Sequence, residues 1–255
     1  MSSHTPNEIQ VSVGETRCEF VLVPAGTFVM GTDPSEVSAV TARYPDVQAA
    51  WILKETPNSE VYLPDFYIAR TPITTQLWTE YAYQTGSTLQ AIWAESTAEP
   101  NHPVAGVSYE EVEAFCNWLS AVSAYEVSLP TEAQWEKAAR GTDGREYPWG
   151  YEFDAARCNT REGGCGGVTP VDRFPAGASP YGVLDMAGNV EEWTSDLYQP
   201  YPGGNAVTDD LGGPGKYRVT RGGHWEGGGD LARCARRHGA WEHSRTGARL
   251  VLAAL

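Results

Sequence analysis

Short apolar runs bounded by turn residues predict strands in the first third of the chain. Residues 19–31 (EFVLVPAGTFVMG) carry apolar positions on both sides of Pro24-Ala25-Gly26, which predicts two short strands joined by a turn. A polar stretch follows up to about Glu60, and residues 61–70 (VYLPDFYIAR) then repeat the strand pattern. Pro64 interrupts this second run. Because proline cannot donate to a sheet ladder, we expect an edge or bulged strand here.

Three segments combine an N-terminal cap with apolar positions at helical spacing. Thr74 caps a predicted helix that stops at Gly86. Residues 108–111 (SYEE) form a capping box, and the apolar side chains behind it recur along one face of a helix. Residues 131–134 (TEAQ) form a second capping box, whose helix is expected to end before Gly141.

Beyond Gly141 the pattern changes, because no helical period lasts more than two turns and glycines occur in short groups. The chain contains 27 Gly and 17 Pro among its 255 residues, a share above the usual one. This composition predicts loops and short strands for the C-terminal half. No linker and no internal repeat is visible, so we predict one α+β domain.

The charge and the termini exclude several classes of partner. The chain has 18 Lys and Arg against 33 Asp and Glu, a formal net charge of −15, which repels phosphate backbones and predicts no nucleic acid partner. No apolar run is long enough to span a bilayer, so no membrane insertion is expected. The first residues (MSSHTPNEIQ) lack the basic and apolar parts of a leader peptide, which predicts a cytoplasmic protein.

Several motifs in fixed order resemble those of one family, the formylglycine-generating enzymes and sulfatase-modifying factors. The longest are SLPTEAQWEKAARG (128–141), YPWG (147–150), YGVLDMAGNVEEWTSD (181–196) and RVTRGGHW (218–225). The resemblance spans about residues 19–252 and implies a C-type-lectin-like fold, loop-rich with few helices and short antiparallel strands. It implies a single domain over residues 19–255, with residues 1–18 as an N-terminal extension or first strand.

The resemblance does not extend to the family's copper chemistry. Its oxidising members hold copper(I) with two thiolates just after the stretch that corresponds to Gly222-Gly223, and soft thiolates are the ligands copper(I) prefers. Here Cys234 matches a buried cysteine of the family rather than a copper ligand, and no cysteine pair follows the glycines. We therefore expect no copper and no formylglycine generation.

Histidines in the same region offer a different metal chemistry. His224, His238 and His243 lie close in sequence to Glu226 and Glu242, and two imidazoles with a carboxylate suit iron or zinc. The alternative is that all three are solvated loop histidines.

Calcium is the cofactor that the resemblance implies. The family binds it where the GNVEEW segment (188–193) turns back on itself, through hard oxygen ligands. The implied ligands are the carboxylates of Asp185 and Glu192 and the carbonyls of Gly188 and Val190. A second site would use Asn159 and the carbonyl of Thr160, but residues 163–167 lack its downstream carboxylate. The alternative is that Asp185 and Glu192 only cap turns.

Residues 221–249 are the segment in which this fold carries its binding surface. Frame positions that match the family, among them Arg221, Arg236 and Arg249, are expected to pair internally. They alternate with positions expected to be exposed and to bind ligand: His224, Glu226, Gly227, Gly228, Asp230, His238, Ala240, Trp241, Glu242 and His243. This alternation resembles the variable region of diversity-generating-retroelement proteins, which implies a binding surface on a fixed scaffold.

These observations leave three functional hypotheses. The first is a non-catalytic ligand-binding protein with a variable C-terminal surface, whose ligand is a protein and whose anchor is Trp241. The second is a divergent metal- or oxygen-dependent enzyme that uses His224, His238 and His243. The third is a catalytically inactive scaffold subunit. Against the first, adenine-directed changes of the usual template codon cannot give Glu or Trp.

Overall fold

Ten strands and five helices are defined in the computed structural model, which describes residues 6–87, 99–240 and 245–253. The strands are β1 (Glu8–Val13), β2 (Thr16–Val23), β3 (Gly26–Met30), β4 (Ser59–Leu63), β5 (Phe66–Ala69), β6 (Val127–Ser128), β7 (Glu191–Leu197), β8 (Arg218–Arg221), β9 (Thr246–Gly247) and β10 (Val251–Ala253). The helices are α1 (Val37–Arg43), α2 (Ala49–Leu53), α3 (Thr75–Thr85), α4 (Tyr109–Val122) and α5 (Glu132–Arg140).

The strands form three sheets. The largest has the order β1-β2-β5-β10-β6 with every neighbouring pair antiparallel, so that strands from both ends of the chain meet at its centre. Strands β3 and β4 form a separate antiparallel pair. In the third sheet β7 lies between β8, which is antiparallel to it, and β9, which is parallel. The α+β class with short strands is therefore confirmed.

The helices begin where their caps predict. The side chain of Thr74 accepts from the amide of Leu77 at the start of α3, and Gly86 ends that helix in the left-handed conformation. Both predicted capping boxes are complete, with Ser108 opening α4 and Thr131 opening α5. The polar stretch before Glu60, where the sequence pattern predicts no element, contains the short helices α1 and α2. Each of these buries a single apolar side chain, too weak a signal for periodicity to detect.

Two apolar clusters fill the space between the sheets and the helices. The larger lies between the five-stranded sheet and helices α3 and α4, where the rings of Trp78 and Phe115 stack with centroids 5.1 Å apart. The smaller surrounds Trp135 of α5, which is fully buried. Together they hold the start of α5 and strand β7 beneath the C-terminal segment.

The expectations for the N-terminal third are met in part. Pro64 lies between β4 and β5 and belongs to neither; β4 is an edge strand of a two-stranded sheet, whereas β5 is an interior strand rather than an edge. Residues 8–13 form the first strand, β1, whose Ile9, Val11 and Val13 face the core. Among the residues described, no helix combines the length and apolarity that crossing a bilayer requires.

The tight approach of residue 188 to residue 159 gives a test of the fold. Gly188 has φ +77°, and a Cβ there would overlap the carbonyl oxygen of Asn159, whereas Gly166 has φ +74° with open space around it. We expect Gly166→Ala to cost about 1–2 kcal/mol from backbone strain. Gly188→Ala should cost about 3–5 kcal/mol, because overpacking adds to the strain.

Urea unfolding of both variants measures the difference in free energy. Equal losses in the two variants would contradict the close backbone approach.

Candidate functional site

Buried arginines fix the C-terminal segment to helix α5. Arg221 Nη2 lies 3.0 Å from Glu132 Oε2 and 3.0 Å from Glu136 Oε2, and Arg237 Nη2 lies 2.7 Å from Glu132 Oε1. All four of these side chains are buried. Because buried charges must be paired to be tolerated, these contacts determine where β8 and the segment after it run.

A second group of ion pairs holds the next part of the segment. Asp230 lies 2.8 Å from both Arg233 and Arg236, and Arg233 also makes a two-pronged contact with Glu55. The sequence predicts that Asp230 is an exposed ligand-binding residue, but the residue is only 4 % exposed and its carboxylate pairs with two arginines. The expected exposure is wrong and Asp230 belongs to the frame. Because Asp230 also lines a cavity of about 480 Å³, a ligand contact there stays a prediction.

Gly227 is a second correction, because it is buried. A Cβ there would lie 2.9 Å from the side chain of Leu231 and 3.2 Å from the carbonyl of His224. The next residue differs: a Cβ at Gly228 would meet only the ends of the Arg161 and Glu162 side chains, at 3.1 and 3.2 Å. Position 228 can therefore carry a side chain and position 227 cannot.

Arg249 completes the frame, as predicted for this residue. Its guanidinium binds both oxygens of Glu192 at 2.6 Å, and Trp135 Nε1 donates to Glu192 Oε2 at 2.6 Å. The family resemblance implies that Glu192 is a calcium ligand, yet its carboxylate is fully occupied by an arginine and an indole. Glu192 therefore does not fit a calcium site.

Asp185 fits a cation better. Burial raises the pKa of its carboxyl to about 8, and its carboxylate accepts a hydrogen bond from Asn189 Nδ2 at 2.7 Å. Asn189 Oδ1 in turn accepts from Asn159 Nδ2 at 3.0 Å. The buried Oδ1 of Asn159 has no hydrogen-bond partner among the residues described. The carbonyl of Thr160 accepts from the amide of Gly163, so it is already used by a turn.

Two cavities open among the predicted surface positions. The wider cavity, about 480 Å³, lies between residues 43–51 and residues 228–238. The narrower cavity, about 310 Å³, is lined by His224, Ala240 and Arg245 together with residues of the third sheet. His238 lines both cavities. The structure thus brings together predicted positions 224, 228, 238 and 240, and it leaves Glu226 exposed beside them.

Glu191 is the residue of this site that the sequence did not reveal. Its Oε1 lies 2.6 Å from His238 Nδ1 and accepts from Thr220 Oγ1 at 2.8 Å. Burial opposes ionisation of Glu191, but the charge and hydrogen bond of His238 hold the pKa of its carboxyl below the ordinary value. Glu191 and Glu192 are consecutive residues of β7, so their side chains point to opposite faces of the sheet, and both are buried.

Two of the three histidines in the metal hypothesis lie near each other. His224 and His238 line the same cavity, and burial lowers the pKa of His224. Within residues 6–87, 99–240 and 245–253, no three His, Cys, Asp or Glu side chains lie together as metal ligands would. The predicted positions Trp241, Glu242 and His243 lie outside the described residues, so their part in a site stays a prediction.

The sequence model of the sulfatase-modifying factor enzyme 1-like domain matches residues 7–254. The chain belongs to this family. It is 30 % identical over 264 residues to hercynine oxygenase from Mycolicibacterium smegmatis, covering 88 % of this chain and 57 % of that one. Formylglycine-generating enzyme from Bos taurus is 28 % identical over 253 residues, covering 81 % and 66 %. The chain spans about half the length of the hercynine oxygenases it matches.

Solved structures agree with the family assignment and with the expected C-type-lectin-like fold. The structure of PvdO from Pseudomonas aeruginosa matches with a TM-score of 0.73 and 25 % identity, over 92 % of this chain and 94 % of that one. Treponema denticola variable protein 1 matches with a TM-score of 0.74 and 21 % identity, over 98 % and 100 %. The second likeness concerns the fold alone.

The frame of this sulfatase-modifying-factor-like domain predicts a large difference between two arginine substitutions. Arg221→Met leaves Glu132 and Glu136 short of a buried partner and should cost about 3–5 kcal/mol. Arg161→Met is the matched control, since this arginine is two-thirds exposed. It should cost less than about 1 kcal/mol.

Chemical denaturation of the two variants provides the comparison. A loss below about 1 kcal/mol in Arg221→Met would show that the frame does not depend on this pair.

Proposed function

We propose that this protein is a ligand-binding member of its family, with a fixed arginine frame that carries an exchangeable surface and with a protein as its ligand. The observation that supports this most directly is the pair of cavities that meet at His238. Both are lined by the segment whose arginines are buried. Sites of this volume bury one or two side chains of a partner or a small molecule.

The positions proposed to be exchangeable are exposed (Glu226) or partly buried (His224, Gly228 and Ala240), whereas the frame arginines are buried. Glu226 is half-exposed, and its ion pair with Arg245 is of the kind that contributes little. Gly228 has room for a side chain, and Ala240 lines the narrower cavity. By contrast, every frame arginine ends on a buried carboxylate. Exchange of ligand-contacting residues on this scaffold should therefore reduce the free energy of unfolding less than exchange of the frame arginines does.

We further propose how this surface arises, and the likeness in fold to Treponema denticola variable protein 1 supports the proposal. Under that proposal, residues 221–249 are rewritten in the DNA, with changes confined to the surface positions. Sequencing the locus tests it. A neighbouring reverse transcriptase and a near-repeat of the DNA for residues 221–249, differing only at adenines, would support diversification. Without such a repeat the diversified surface is ruled out, and a fixed binding surface remains.

Two display libraries test the division between frame and surface. One randomises His224, Glu226, Gly228 and Ala240; the other randomises Arg221, Arg233, Arg236 and Arg237. Surface changes usually shift stability by about 0.5 kcal/mol or less, while unpairing a buried carboxylate costs about 3–5 kcal/mol. We expect most members of the first library to resist protease on the cell surface and few members of the second.

His238 is left unchanged in both libraries, so that the result concerns the frame alone. Equal depletion of the two libraries would contradict an exchangeable surface.

We also propose that a calcium ion, if bound, is held by Asp185 and Asn159 with the carbonyls of Gly188 and Val190, and without Glu192. A cation would take the place of the proton that burial favours on Asp185 and engage the unpartnered oxygen of Asn159. A calcium concentration a hundredfold above its Kd should raise the melting temperature by roughly 5 °C or more relative to chelator.

Asp185→Asn is the control for this measurement. The variant should melt at the same temperature in calcium and in chelator. A wild-type protein indifferent to calcium would leave Asp185 as a buried acid of the turn.

A further inference from the structure

A carboxylate–imidazole pair stands where the two cavities meet. The 2.6 Å contact between Glu191 Oε1 and His238 Nδ1 is held from both sides. Thr220 donates its hydroxyl to the same carboxylate oxygen, and its backbone exchanges two hydrogen bonds with the backbone of His238, at 2.9 and 3.1 Å. The ring is therefore fixed by its own main chain and by a buried acid.

This arrangement fixes which ring nitrogen is available. Because Nδ1 lies against a carboxylate, it carries a proton in both forms of the ring, and the site that gains or loses a proton is Nε2. Within the described part of the chain, no further group is hydrogen-bonded to the ring of His238. One third of the side chain is exposed, and it lines both cavities. With Nδ1 occupied by Glu191, Nε2 is the ring nitrogen left for a ligand or water.

The narrower cavity adds groups of complementary character. The amide of Glu226 donates to His224 Nδ1 at 3.3 Å, so the neutral ring of His224 carries its proton on Nε2. Burial lowers the pKa of His224, which favours this neutral form. Arg245 lines the same cavity, tied only to the exposed Glu226 among the residues described. A base, an N–H donor and a cation therefore surround one space of about 310 Å³.

We propose that His238 is a general base in this cavity and that Glu191 is its positioning residue. His238 Nε2 takes a proton from a bound water or from a weakly acidic O–H, N–H or S–H group of a ligand. Glu191 stabilises the imidazolium that forms, and the ligand's new negative charge faces Arg245 and the N–H of His224. This goes beyond binding, and the base itself does not depend on whether the surface is diversified, because His238 and Glu191 are outside the positions that the libraries exchange.

Hydrolysis of p-nitrophenyl acetate reports on such a base. Nε2 removes a proton from water, the hydroxide oxygen forms a bond to the acetyl carbon, and the bond from that carbon to the phenolate oxygen breaks. The products are acetic acid, which loses its proton to the buffer to give acetate, and p-nitrophenolate; the imidazolium also returns its proton to the buffer. No oxidant or metal is required, and the yellow phenolate gives the rate.

His238→Asn is the decisive variant, since the amide nitrogen of Asn can take the place of Nδ1 against Glu191 while Nε2 is removed. We expect turnover to fall about tenfold or more, towards the rate without protein. His102→Asn is the matched control, because His102 lines neither cavity, and it should retain the wild-type rate. Turnover by His238→Asn equal to wild type would overturn the proposal.

Glu191→Gln tests the positioning role. The change keeps the shape and the acceptor oxygen but removes the charge, so we expect kcat to fall with KM unchanged. The strongly deshielded Nδ1–H proton resonance of His238 should shift upfield in the same variant. A KM effect alone, with the resonance in place, would reduce Glu191 to a packing role and overturn this part. The test of His238 does not depend on this variant, because His238→Asn keeps Glu191. If Glu191→Gln folds poorly, the rate of His238→Asn still decides whether His238 is the base.

Discussion

Buried contacts between guanidinium groups and carboxylates are the interaction on which the C-terminal half depends. After Gly141 the chain forms few regular hydrogen-bond ladders, so its backbone needs other partners. The frame arginines supply them: Arg221 donates to the carbonyl of Cys234, Arg237 to that of Gln199, and Arg249 to that of Leu184. Each guanidinium thereby joins loop backbone to a carboxylate in a distant element. An arginine offers five donors in a rigid plane, which suits this task better than a lysine.

The same contacts change the meaning of the charge pattern. Eight Lys and Arg between residues 216 and 249 suggest a basic recognition surface, but Arg221, Arg233, Arg236, Arg237 and Arg249 are buried and paired. Several of the carboxylates that neutralise them come from α5 and from the end of α2. Part of the chain's excess of acid is therefore internal. Five of the eight basic side chains of this segment therefore contribute no free positive charge to the surface around the two cavities.

Local signals were predictable from the sequence, and pairings between distant segments were not. Capping boxes at Ser108 and Thr131 act within four residues, so the starts of their helices follow from the residue order alone. The burial of Asp230 depends on Arg233 and Arg236 folding back onto it, which no spacing rule contains. The role of Glu191 was not predictable for the same reason. Its partner His238 lies 47 residues further along the chain.

Strand β7 shows how closely the frame and the candidate site are linked. Its consecutive carboxylates have opposite roles, since Glu192 binds Arg249 inside the frame and Glu191 binds His238 at the cavities. A buried carboxylate without a donor costs several kcal/mol, so whatever occupies position 238 must donate to Glu191. The residues at positions 224, 226 and 228 do not have to donate a hydrogen bond to a buried carboxylate. On an exchangeable surface, position 238 is therefore the residue that stays the same. A constant proton acceptor at the centre of a changeable surface is the arrangement expected of a site that acts chemically on its ligand.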